Sequence, residues 1–141
     1  MFNDVVDAIC LTISQAFADR EIYTEQVKQG FTPPCFFVTC TNPNEGRFLG
    51  DKFQHKGRYE VNYFPNEENA NRELVEISET LSDILETIEV KGEPTRGTKM
   101  ESTISDGVLS FLVNYDYFVY KSMAKEEAME KLRSKTEVEN G

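Results

Sequence analysis

A chain of 141 residues, 39% hydrophobic and 28% charged, has the size and make-up of one globular domain; split in two, each half would approach the size where a core becomes marginal. The formal charge of −10 argues against specific nucleic-acid binding, which needs a clustered basic surface. No apolar run nears the roughly 18 residues of a membrane span, and Met1-Phe2-Asn3-Asp4 carries acid where a signal peptide carries Lys or Arg, so the chain is expected to stay in the cytoplasm that makes it.

Phe2, Val5, Val6, Ile9, Ile13, Ala16 and Phe17 recur at steps of three and four, which predicts an amphipathic helix over about 2–18. Glu21 to Glu25 is short and β-leaning. Gly30 and the Pro33-Pro34 pair mark a loop, and Cys35 to Cys40, apolar on both faces, reads as a central strand. Thr41-Asn42-Pro43-Asn44-Glu45-Gly46 has the composition of a turn. Two strands, Phe48–Phe53 and Arg58–Phe64, follow, joined by a turn at Gln54-His55-Lys56-Gly57. In the second of them Tyr59, Val61 and Tyr63 alternate with polar residues.

Pro65 and Asn66 open a second helix, expected over about 67–87, with Leu74, Ile77, Leu81, Ile84 and Leu85 on its apolar stripe. Ile88 to Val90 is a short strand ended by Lys91-Gly92-Glu93-Pro94. Thr98–Ile104 and Val108–Tyr120 form a hairpin about Asp106-Gly107, a pair that favours the tight turn of a hairpin. From Ser122 the pattern collapses into Lys and Glu, helix-prone around Lys125–Leu132. The expected architecture is α+β: two amphipathic helices packed on one mostly antiparallel sheet, a single domain over 1–121, and a flexible charged tail over 122–141.

The charge is unevenly placed. Residues 121–141 hold five basic and five acidic side chains, so the excess lies upstream. Glu67, Glu68, Glu73, Glu76, Glu79, Asp83, Glu86 and Glu89 face only Arg72, while Arg47, Lys52, Lys56 and Arg58 make a small basic group on the Phe48–Phe64 hairpin. Acidic helix and basic hairpin are the unlike surfaces that a head-to-tail contact between subunits requires, with the Asn42–Arg47 loop beside them. Phe111, Tyr115, Tyr117, Phe118 and Tyr120 crowd one strand, either as a buried central strand or as an exposed aromatic face for a neighbouring subunit.

Residues for chemistry are not assembled in the sequence. The single histidine, His55, falls in an expected turn among polar neighbours, where a solvated role outweighs a catalytic one. The three cysteines make an odd number, which argues against a disulfide framework. Cys35 and Cys40, five apart on one strand, point to opposite faces and cannot converge with His55 on zinc. The helix acids spread over a broad face, as solvated carboxylates do. No metal, cofactor or catalytic residue is expected.

Ile22-Tyr23-Thr24-Glu25-Gln26-Val27-Lys28-Gln29-Gly30, Pro34-Cys35-Phe36-Phe37-Val38, Tyr63-Phe64-Pro65, Arg96-Gly97-Thr98-Lys99-Met100, Asp106-Gly107-Val108-Leu109 and Val113-Asn114-Tyr115-Asp116 together resemble the small tail-terminator, or tail-completion, proteins of phages of Gram-positive bacteria. The resemblance runs in order through about residues 1–121 and is nearest to those of contractile-tailed phages and phage-tail-like particles. It implies a structural virion protein, assembled in the host cytoplasm. Such a protein forms a ring, commonly hexameric, on the head-proximal end of the tail tube. Its implied partners are further copies of itself, the tube protein, the sheath protein and a neck or connector protein. DNA would pass through the ring, and Glu73, Glu76 and Asp83 would then face that lumen. A head–tail connector or minor tail protein, a small non-catalytic adaptor domain and, last, a metal-assisted enzyme are the competing readings.

Overall fold

The computed structural model describes residues 2–25, 30–67 and 69–120. Their order is α1 (Phe2–Ala16), β1 (Glu21–Tyr23), β2 (Cys35–Leu49), β3 (Lys52–Phe64), α2 (Asn71–Ile84), β4 (Thr87–Val90), β5 (Glu93–Ser105) and β6 (Val108–Tyr120). One six-stranded sheet runs β1-β2-β3-β6-β5-β4. β1 lies parallel to β2, with Glu21 opposite Cys35, whereas β4–β5 and β5–β6 are antiparallel. The tail expected over 122–141, the helix expected near Lys125–Leu132, and Gln26 to Gln29 lie outside the described residues.

The expectation of an α+β domain with two helices packed on a sheet is corrected. The protein is mostly β, with 54% of the described residues in strands and 25% in helices. Strands absorb segments whose composition signals turns. The Thr41–Gly46 stretch lies inside β2, and the Gln54–Gly57 stretch lies inside β3. The turn joining those strands is instead Gly50-Asp51, where Gly50 takes φ +57, a left-handed backbone that a tight hairpin demands and that glycine adopts without steric cost. Gly57 serves a different purpose. It is buried, and the Tyr59 ring lies so close that any added Cβ would collide with it, so this glycine makes room within the strand for an aromatic neighbour.

Other elements follow their local signals. Asp106 and Gly107 both have positive φ, 53° and 73°, and Ser105 pairs with Val108 across them. Lys91-Gly92, at 52° and 81°, turns β4 into β5 in the same way, and Pro94 lies within β5 opposite Glu89 on the edge strand β4. α1 ends two residues short of its expected C-terminus, and α2 is trimmed at both ends to 14 residues.

The chain divides into two compact units. Among the described residues, unit 1 comprises those within 1–44 and 56–116, and unit 2 comprises 45–55 and 117–120. Unit 1 holds the main core. Val5, Ile9 and Ile13 of α1 and Leu74, Ile77 and Leu81 of α2 are buried, as are Phe36, Tyr59, Tyr63, Phe111 and Tyr115 from the sheet. Each such side chain contributes roughly 1.5–3 kcal/mol relative to an exposed position. The odd-numbered residues of β6 from Leu109 to Tyr115 are all buried and the residues between them are not, so strand alternation sets which row faces the core. α1 contacts α2 and β4, and α2 contacts β5.

Two junctions lock unit 1. Arg20 Nε donates to the Tyr63 hydroxyl at 3.1 Å, and that hydroxyl donates to the Glu73 carboxylate in the first turn of α2. At the other end of α2 the Tyr115 hydroxyl donates to the Leu85 carbonyl at 2.5 Å, satisfying a carbonyl that the helix end leaves free. Gly97 N–H donates to Glu86 O at 2.7 Å beside it, and a Cβ at Gly97 would lie 2.6 Å from Leu85 O.

Candidate functional site

Unit 2 holds the end of β2, the start of β3 and the end of β6, and its two faces differ. On one face Lys52 of β3 lies between aromatic residues of the strands on either side. Its Nζ is 4.1 Å from the Phe118 ring centroid, 5.5 Å from that of Phe48 and 5.8 Å from that of Tyr120. Phe48 and Phe118 meet edge to face at 5.0 Å. An ammonium over several ring faces is attracted by their quadrupoles. Strand alternation puts Arg47, His55 and Tyr117 on the other face. There His55 stacks on Tyr117 at 5.0 Å, its Nε2 lies 2.9 Å from Glu45 Oε2, and the Arg47 guanidinium sits 5.4 Å over the Phe53 ring.

His55 therefore requires a correction. It was expected as a solvated turn residue, and it is a strand residue 1% exposed. The local composition misleads because Gly57 is read as a turn signal although its conformation is that of a strand. With its imidazole enclosed by Tyr117 and Glu45, the residue builds the interior of unit 2.

The expected contact residues fall in both units. Arg47 and Lys52 belong to unit 2 and Lys56 and Arg58 to unit 1. Lys56 is exposed. Arg58 is taken up within its own unit, donating to Asn114 Oδ1 at 2.5 Å, Glu101 Oε2 at 3.2 Å and Lys99 O at 3.3 Å. The expected lumen acids also differ among themselves: Glu73 is held by Tyr63, whereas Glu76 and Asp83 are exposed on α2.

The titratable groups of unit 1 are set for structure. Burial first, and then the bond to Glu73, push the Tyr63 hydroxyl up to about 12. Burial pushes Tyr115 up further still. Burial, helped by the nearby Asp7 carboxylate, raises the Cys10 thiol to about 11, and burial also raises Cys35 and Cys40. A raised thiol pKa suppresses the reactive thiolate. Cys35 and Cys40 lie five apart on the single strand β2, and among the described residues no group of three or more His, Cys, Asp or Glu could hold a metal ion.

A family model described as phage tail terminator protein matches residues 4–127. The chain belongs to the phage tail terminator family. It is thus a structural protein of the virion tail whose surfaces meet other tail proteins. No curated protein matches the chain. Among the solved structures that match, one aligns at 12% identity over 84% of this chain and 94% of its own, with a TM-score of 0.43, a likeness too loose to carry any argument. For a tail terminator the informative surface residues are those exposed without an evident core role. Sequence reasoning found the basic ones by charge. It offered the Phe48–Phe64 hairpin as a whole, without singling out the exposed rings of Phe48, Phe118 and Tyr120 about Lys52.

Proposed function

We propose that this tail terminator assembles as a homo-oligomeric ring, a hexamer, on the head-proximal end of the tail tube. There it ends tube polymerisation and offers the surface on which the neck is mounted; in a contractile tail the same ring meets the last layer of sheath. The match of residues 4–127 to the family carries this reading. Two features of the chain support it. A closed ring of identical subunits needs two unlike, complementary surfaces on each, and acidic α2 and the cation-bearing β2–β3 hairpin are unlike. The role requires no bond to be made or broken, in keeping with raised thiols and an enclosed histidine.

Arg47, Lys52 and Lys56 are the proposed contacts to neighbouring proteins, with Arg58 acting through the Asn114 and Glu101 side chains that hold it. The exposed carboxylates of Glu76 and Asp83, with Glu73 beside them on α2, are proposed to line the passage for DNA, where like charge keeps the phosphate backbone from adhering. Electron microscopy of particles, of tubes mixed with the purified protein, and of tubes assembled without it tests the whole reading. A ring at one tube end, and tubes of uncontrolled length in its absence, are expected. Density for the chain in the connector or elsewhere along the tail would assign it to a different layer and overturn the terminator role.

A further inference from the structure

We infer that the Phe48–Lys52–Phe118 end of unit 2 docks on the acidic body of a second copy of this chain, an assignment that rests on the ring reading above. Phe48 is 55% exposed, Phe118 42% and Tyr120 68%, and these three rings surround one ammonium at the end of three neighbouring strands. Single exposed apolar residues are ordinary on a protein surface, but several gathered about a cation have the composition of an interface core.

Charge selects the occupant. Residues 45–55 and 117–120 carry Arg47 and Lys52 against Glu45 and Asp51, a balance of zero, and residues 121–141 are balanced too; all of the −10 therefore falls on 1–44 and 56–116. Two copies meeting through those bodies alone would bring like charges together. Contact through the end of unit 2 instead brings the Lys52 ammonium and its rings against carboxylates. The carboxylate of Glu45 does not compete for it, because Glu45 lies with His55 on the opposite face of the strands. The resulting contact is heterologous, one end against a different surface, as ring closure requires.

The test uses full-length protein assembled on tail tubes, with Phe48→benzoylphenylalanine as a photo-crosslinker and a mixture of isotopically heavy and light copies. Crosslinked peptides joining heavy to light chains, with the partner peptide in 2–44 or 56–116, are expected. Adducts confined to one chain, including any to 121–141, or adducts to a different tail protein would overturn the assignment. Independently, Lys52→Glu with Phe118→Ser should weaken self-association at least about tenfold by sedimentation, with an unchanged circular dichroism spectrum. Unaltered association of that folded variant counts against the contact. Failure of the wild-type protein to form rings, with heavy–light crosslinks still found, would remove the ring and leave the contact standing.

Discussion

His55 Nε2 lies 2.9 Å from Glu45 Oε2, which joins the start of β3 to β2 inside unit 2 while Tyr117 of β6 stacks on the imidazole. One side chain thus ties three strands within unit 2. His55→Ala should lower stability by about 2–4 kcal/mol, since it opens a cavity and removes the partner of a carboxylate together. Glu45→Gln keeps the shape and should cost about 1 kcal/mol. Urea denaturation of both variants measures this. A histidine in a solvated turn would shift stability by no more than about 0.5 kcal/mol.

The C-terminal end of α2 is closed by Tyr115 and Gly97 together. Tyr115→Phe leaves the Leu85 carbonyl without its hydroxyl donor in a buried setting, a loss of about 1–2 kcal/mol. Gly97→Ala forces a methyl group to 2.6 Å from Leu85 O and 2.9 Å from Val113 Cγ2, so helix and strand must separate, at about 1–3 kcal/mol. Thermal or urea unfolding should rank both below wild type. In the double variant the losses should not add, because both residues touch the same carbonyl.

Alkali should unfold the protein in a defined window. Tyr63 and Tyr115 hold their protons more tightly in the fold than the ordinary tyrosine value of 10.0, Tyr63 up to about 12 and Tyr115 higher. Unfolding therefore releases protons above pH 10. The stabilisation is complete below about pH 10 and declines as pH rises through 12. Tyrosinate absorbance followed together with circular dichroism should show these two phenols ionising only as structure is lost. Ionisation of all six tyrosines near pH 10 in folded protein would contradict it.

Local chemistry made some of this fold readable in advance. Asp106-Gly107 and Lys91-Gly92 need only their own backbone conformations to turn, and the alternation of Leu109 to Tyr115 needs only a period of two. β2 was not readable because its continuation through Asn42 to Gly46 is dictated by strand pairing rather than by these residues. β1 covers only Cys35 to Phe37, so Pro43 lies on a stretch of β2 that β1 leaves as an edge, where a sheet tolerates proline. A second misplaced turn, at Gln54–Gly57 in β3, put His55 outside, because Gly57 signals a turn by composition while it makes room for Tyr59 within a strand. The same reasons divide the site. Arg47, Lys52, Lys56 and Arg58 stand out by charge, but the meeting of Phe48 with Phe118 depends on β3 lying between β2 and β6, which no spacing in the chain reveals.

The acids proposed to face DNA can be tested without disturbing the fold, provided they are chosen by their contacts. Glu73 accepts a hydrogen bond from Tyr63, so reversing it would destabilise the junction with Arg20 and blur the result. Glu76 and Asp83 are exposed and seven residues apart, close to two helical turns, which places them on one side of α2. Glu76→Lys with Asp83→Lys changes the local charge by four units while leaving the buried stripe of Leu74, Ile77 and Leu81 untouched. Particles carrying the double variant should assemble at normal yield yet eject DNA several-fold more slowly, with the defect relieved at higher salt as phosphate contacts are screened. Normal ejection kinetics at low salt, or a particle map with both side chains on the outer surface of the ring, would remove α2 from the channel.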